Sequence, residues 1–216
     1  MGKTVEVIQL TDKKTPAVSA VTKIQRLDLA ADIMVARLQA YAHAKASGKF
    51  TFFCDADSLF INPLDLNFIA GDVLVTTRVN NHPINDQYPE FYPEFTGKMI
   101  KDVMPFLFGA IAVKGVQDKF FNSLINKCLN LPERFHRWYG DQYSLAQAIT
   151  SDEFQFGYLD PKRHLHIVNS EVSSAELYFL RSSDVQMLTF KGKRSKLFID
   201  GTFKNLQNLL LQSAFK

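Results

Sequence analysis

Apolar and polar positions along the chain fall into short patterned stretches, each closed by polar or turn-forming residues. Short apolar or alternating runs predict strands at Val5 to Leu10, Val21 to Leu27, Phe50 to Cys54, Asp72 to Thr77 and Phe106 to Val113. Shorter candidates follow at Phe154 to Tyr158, His166 to Val168 and Gln186 to Thr189. Leu29 to Ala46 contains neither Gly nor Pro. Its Ile33, Ala36, Tyr41 and Ala44 recur at helical spacing, and Gly48 is placed to end that helix. Asp118 to Asn130, Tyr143 to Ile149 and Asn205 to Ala214 read as further helices. Asn62-Pro63 turns the chain, and Asn80 to Gly97, interrupted by Pro83, Pro89 and Pro93, reads as a long loop rich in aromatic side chains. Strands alternating with helices predict an α/β fold with a mostly parallel central sheet flanked by helices. The length of 216 residues suits a single domain over 1–216.

Composition narrows the class. Hydrophobic residues make up 46% and charged residues 22%, which suits a folded globule and excludes a disordered chain. The 19 Phe exceed what loops can hold, so most belong to the core. The net charge of +3 is spread through interleaved acids and bases, which predicts no nucleic-acid partner. Lys191 to Lys196 is the one dense basic cluster. No apolar run approaches the roughly 20 residues of a transmembrane helix. The Met1 to Leu10 segment lacks the layout of a signal peptide and the Ser or Thr of a myristoylation motif. Cys54 and Cys128 cannot form a disulfide framework or a zinc site by themselves. They read as reduced, buried thiols, and the expected location is cytoplasmic.

The chemistry concentrates after the Phe50 to Cys54 run. A buried strand there delivers Asp55 and Asp57 at its C-terminal end, where open α/β sheets bind ligands. Two desolvated carboxylates need a cation or hydrogen bonds to offset them. Residues two apart project the same way, so both can face one divalent ion or a sugar hydroxyl. Lys191-Gly192-Lys193-Arg194-Ser195-Lys196 couples four cations to a permissive Gly, a composition suited to phosphate. Gly109 allows close approach of a ligand or a neighbouring strand. Asp141 is also placed to cap the helix that follows it.

Taken in order, these segments resemble the GT-A glycosyltransferases, in particular family 8, the glycogenin and galactosyltransferase-like group. Ile8 to Asp12 resembles the second strand of that fold, and Met34 to Ala40 its helix with a basic donor contact, here Arg37. Asp55-Ala56-Asp57 matches the metal motif, and Phe108 to Ala112 the strand lining the donor sugar. Gly140-Asp141-Gln142 matches a signature near the reaction centre, and Thr189-Phe190-Lys191-Gly192 resembles the C-terminal phosphate-binding motif. The resemblance implies a metal-dependent retaining transfer of a sugar from a nucleotide-sugar donor, commonly a UDP-sugar, to a saccharide or other hydroxyl acceptor. It implies Mn²⁺ or Mg²⁺ held by Asp57 and by Asp55, which otherwise touches the donor. Arg37, Gly109, Lys191, Gly192 and Lys196 are the implied donor contacts, and Asp141 and Gln142 the implied catalytic pair.

Two features depart from that pattern. The family's C-terminal motif begins with a metal-ligating His where this chain has Thr189, and its usual lysine falls at Ser195. Family members also begin with a strand and a helix ahead of the segment matching Val5 to Asp12, and the expectation here is that this first strand is missing. Three other readings stand beside the transferase. One is an inactive or purely sugar-nucleotide-binding domain of the same fold. Another is a haloacid dehalogenase-type phosphatase using Asp55 as nucleophile, although Leu59 stands where those enzymes carry Thr or Val. The third is a nucleotidyltransferase built on a related sheet.

Overall fold

The computed structural model describes residues 6–18, 21–44, 50–67, 69–84 and 92–213. The elements run β1 (Ile8–Thr11), β2 (Lys23–Arg26), α1 (Ile33–Ala42), β3 (Thr51–Cys54), β4 (Ser58–Phe60) and β5 (Val73–Thr77). A 3₁₀ turn at Pro93–Phe95 precedes the one-turn α2 (Ile100–Val103) and the long β6 (Phe106–Val113). Then come α3 (Gln117–Leu129), α4 (Glu133–Arg137), α5 (Gly140–Ile149), β7 (Phe156–Leu159), β8 (His166–Val168), α6 (Ser174–Ser182), β9 (Met187–Phe190) and α7 (Ser195–Ser213).

The α/β class holds, but the strands form mixed sheets rather than one mostly parallel sheet. The four-stranded sheet has the order β3-β6-β5-β7. β6 runs antiparallel to both β3 and β5, while β5 and β7 are parallel. A three-stranded sheet, β4-β9-β8, pairs β4 and β9 antiparallel and β8 and β9 parallel. β1 and β2 form a separate parallel pair. The mixture arises because β6 returns against its neighbours, a pairing that an apolar run cannot announce.

Burial explains why these segments are strands. β5 is buried from Val73 to Thr76 and β9 along its whole length, the expected state of short apolar strands covered on both faces. The main core lies between the four-stranded sheet and α1, α3 and α5. Val35, Leu38, Phe53, Val75, Phe108, Ile111, Phe120, Phe121 and Leu145 meet there. Tyr41 packs edge-on to Phe121 and stacks on Phe108, so the abundant aromatics fill this interface. A second core joins the three-stranded sheet to α6 and α7 through Ile61, Leu177, Leu188, Phe190 and Leu206. A small layer of Ala110, Leu165 and Met187, with Phe52, Cys54 and Leu107 against it, lies between the two sheets.

Several boundaries differ from the sequence reading. α5 begins at Gly140 rather than Tyr143, so Asp141 lies in its first turn and is not its cap. α7 begins at Ser195, ten residues before the predicted Asn205. β4, α2, α4 and α6 were not anticipated. Val5, Lys45 to Gly48 with its proposed helix stop, much of the aromatic loop, and Ala214 lie outside the described residues. Among the described residues, no helix is long and apolar enough to cross a membrane.

Two histidines beside the three-stranded sheet make a pH test of this packing. His164 is 5% exposed, and its Nδ1 accepts the Asp160 backbone N–H at 2.9 Å. Burial lowers the pKa of both His164 and His166 from the ordinary value of 6.5. Unfolding exposes them to protonation, so stability is full above about pH 6.5 and declines as pH falls through that value. The melting temperature is expected to drop between about pH 7 and 5. His164→Asn, which keeps an acceptor near the Asp160 amide, is expected to flatten that slope. An unchanged slope in the variant would assign it to other groups.

Candidate functional site

Asp55 extends β3 by one residue. Its N–H donates to the Gly109 carbonyl at 3.2 Å, so Asp55 and Gly109 face each other across the β3–β6 ladder. The close approach explains the glycine. A Cβ on Gly109 would lie 2.9 Å from Asp55 Oδ2, and the carboxylate would have to move. Asp57 belongs to the other sheet. Its carbonyl accepts the Phe190 N–H at 2.8 Å, one step beyond the Ser58–Thr189 pair of β4 and β9.

β9 then sets two side chains on this side. Thr189 and Lys191 are two residues apart and project alike. The Thr189 hydroxyl lies 3.4 Å from Asp57 Oδ1. Lys191 Nζ reaches Asp57 Oδ2 at 3.1 Å and Oδ1 at 3.2 Å, and Asp55 Oδ2 at 3.4 Å. One ammonium therefore bridges both carboxylates.

The helices add the other half. Arg37, on α1, sends Nη1 to Asp141 Oδ2 at 2.8 Å and Nη2 to Asp55 Oδ1 at 3.4 Å, with its guanidinium 5.7 Å from the Phe108 ring centre. Asp141 is fully buried, and its Oδ1 accepts the Gln142 N–H at 2.7 Å. Burial pushes the Asp141 carboxyl up, against the pull of Arg37 and the Gln142 amide. Both its oxygens accept hydrogen bonds, the arrangement of an ionised carboxylate. Burial also works against the Arg37 charge, but Asp141 and Asp55 outweigh it and raise its pKa. Arg78, just past β5, donates Nη2 to Gln142 Oε1 and Nε to the Met104 carbonyl.

Arg37, Asp55, Asp57, Gly109, Asp141 and Lys191 thus form one contact network, and Gln142 joins it through Asp141. Gly192 follows Lys191 with φ +111°, a backbone conformation that favours glycine, and nothing lies within 4 Å of where its Cβ would be. Lys196 is exposed on the first turn of α7 and joins no ion pair among the described residues. Arg78 is the addition that sequence reasoning missed. Its signal was a cation directly after an apolar strand, the same position that drew attention to Asp55. Cys54 carries no nucleophile here, because burial, assisted by Asp55 and Asp57, pushes its thiol up to about 11. An open surface groove of about 410 Å³ along α3, lined by Lys119, Ser123, Lys127 and Glu153 among others, shares no residue with this network.

The donor set does not match a divalent ion as arranged. The Lys191 ammonium stands between the two carboxylates, and Thr189 contributes a neutral hydroxyl. Among the described residues, no group of three or more His, Cys, Asp or Glu side chains could hold a metal. The network sets the carboxylates Asp55, Asp57 and Asp141 among the cations Arg37, Arg78 and Lys191, so it offers both hydrogen-bond acceptors and charged donors to a polar group placed beside it. Comparison with protein-family models, with curated proteins and with solved structures returns no match to this chain.

Proposed function

We propose that this chain is a glycosyltransferase domain of the GT-A type that moves a sugar from a nucleotide-sugar donor, by resemblance a UDP-sugar, to a hydroxyl acceptor. One observation carries the reading. The strand-end aspartates Asp55 and Asp57 meet Arg37, the buried Asp141 and Lys191, which are residues from both sheets and two helices. The α/β architecture with mixed sheets supports a Rossmann-like fold, and the GT-A assignment rests on the sequence resemblance.

In this reading, cations bind the diphosphate and carboxylates orient the sugar. The bond from the anomeric carbon to the β-phosphate oxygen breaks, and its electron pair leaves with that oxygen. The acceptor hydroxyl oxygen bonds to the anomeric carbon, and its proton passes to the departing phosphate oxygen. Positive side chains that already face that oxygen stabilise the charge it gains. Asp141 acts by fixing Arg37 and the start of α5, and Gln142, held by Arg78, faces the donor sugar. The divalent ion implied by resemblance has no step here.

A panel of UDP-sugars tests the proposal through release of UDP. One member is expected to turn over, and Gln142→Ala is expected to slow it by roughly 10²-fold without loss of fold, the scale of removing one polar transition-state contact. UDP binding with no turnover of any donor would leave a binding domain and overturn the transferase. Turnover of a generic phosphate monoester in place of every UDP-sugar would favour the phosphatase reading.

A further inference from the structure

We propose that Lys191 is the resident cation of this site, holding the Asp55–Asp57 pair and receiving a nucleoside diphosphate there without a divalent metal. The proposal rests on the donor reading above and names the group that meets the diphosphate.

Four observations support it. Lys191 Nζ lies within 3.1–3.4 Å of oxygens of both aspartates, so it serves the pair rather than one partner. Its location is fixed by backbone pairing. Its own N–H donates to the Val168 carbonyl at 3.0 Å, and the preceding Phe190 N–H donates to the Asp57 carbonyl. The side chain therefore emerges beside Asp57 from a paired segment rather than from a free loop. The next arm, Thr189, is 1% exposed and offers a hydroxyl too weak as a donor to replace an anionic or imidazole ligand. Finally, Asp55 is also engaged by Arg37, so the pair already faces two cations. A divalent ion between the carboxylates would meet both positive charges, and Lys191 would have to leave.

The ammonium has three N–H donors and no acceptor. Those three already face Asp55 Oδ2 and both oxygens of Asp57, so a phosphate oxygen would take one N–H in exchange for one of the two Asp57 contacts, leaving one oxygen of each aspartate held. At 41% side-chain exposure Lys191 reaches solvent on the open side, where a diphosphate would enter. Gly192 adds no side chain next to it. A divalent ion would supply the same charge more strongly, but Asp55 and Asp57 would have to release Lys191 to take it, and its other ligands would have to come from the diphosphate and water.

The test compares wild type, Lys191→Met and Lys191→Gln, each checked for folding by circular dichroism. UDP binding is measured by calorimetry in EDTA and in Mn²⁺. Mn²⁺ binding without nucleotide is followed by electron paramagnetic resonance. Wild type is expected to bind UDP equally well in EDTA and in Mn²⁺. Both variants are expected to lose roughly tenfold or more in EDTA, the size of one charge-assisted contact. They are also expected to bind free Mn²⁺ more tightly than wild type, because the competing ammonium is gone. UDP binding by wild type that needs Mn²⁺, or variants that bind UDP in EDTA as wild type does, would overturn the proposal. If no protein binds UDP in either buffer, the donor reading fails. The nucleotide-free Mn²⁺ titrations then decide Lys191 alone: tighter binding by the variants supports its role, and equal binding overturns it.

Discussion

Arg37→Met is expected to destabilise the fold by about 3–5 kcal/mol at neutral pH, the range for removing one partner of a buried ion pair. At roughly 2–4 °C per kcal/mol for a chain of this size, the melting temperature should fall by about 6–20 °C. The reason is Asp141, which has no exposed side-chain surface and takes its closest charged contact, 2.8 Å, from Arg37. Without the guanidinium, a desolvated carboxylate faces Asp55 with, among the described residues, the Gln142 amide left to offset it. The penalty should shrink in acid. In the variant, the folded-state pKa of Asp141 lies further above its unfolded value, so protonation relieves the fold as pH falls through that folded pKa. Arg37→Met combined with Asp141→Leu should recover much of the loss, because the stranded charge is then gone. Thermal melts of the single and double variants between pH 4 and 8 check this. A single variant as stable as wild type at pH 7 would mean that Asp141 finds water or another partner.

Gly140→Ala is expected to cost about 1–3 kcal/mol, the usual range for overpacking, and to damage the site as well. A Cβ there would lie 2.3 Å from the Phe135 carbonyl oxygen and 2.8 Å from Cys128 Sγ. The first contact is backbone, so the start of α5 must retreat from α4. Asp141 and Gln142 are the next two residues, and the retreat would stretch their contacts with Arg37 and Arg78. UDP-sugar turnover should therefore fall by more than the stability loss explains when assayed well below the melting temperature. A variant that melts early yet turns over donor normally in the cold would separate the packing role of Gly140 from the site.

Much of the scaffold was legible because several of its strands, β3, β5 and β6 among them, are mostly apolar. β3, β6 and β8 fall where the sequence pattern put them, β6 as a mostly buried apolar run, although β3 is an edge strand with only Phe53 buried and β8 is half-buried throughout. β4 was not legible. Its three residues carry no pattern of their own and become a strand through β9, far along the chain. The mixed sheet has the same origin, because strand direction is a non-local choice. α6 was missed despite a local signal. Ser173 and Glu176 form a reciprocal capping box, Ser-x-x-Glu ahead of Leu177, which announces a helix start. At the site, apolar run then Asp-x-Asp located the carboxylates from the sequence. That Lys191 rather than Lys196 would meet them was hidden, because only the β4–β9 register decides which basic residue emerges beside Asp57.

Asp55 is carried by the four-stranded sheet and Asp57 by the three-stranded one, with Ala56 as the only residue between them. The gap between the carboxylates is therefore a gauge of how the two sheets are shimmed against each other. The shim is the fully buried layer of Ala110, Leu165 and Met187. A thicker or thinner side chain at Met187 is expected to change the spacing of Asp55 and Asp57 from behind, without touching either carboxylate. The layer therefore packs the core and spaces the two carboxylates at once.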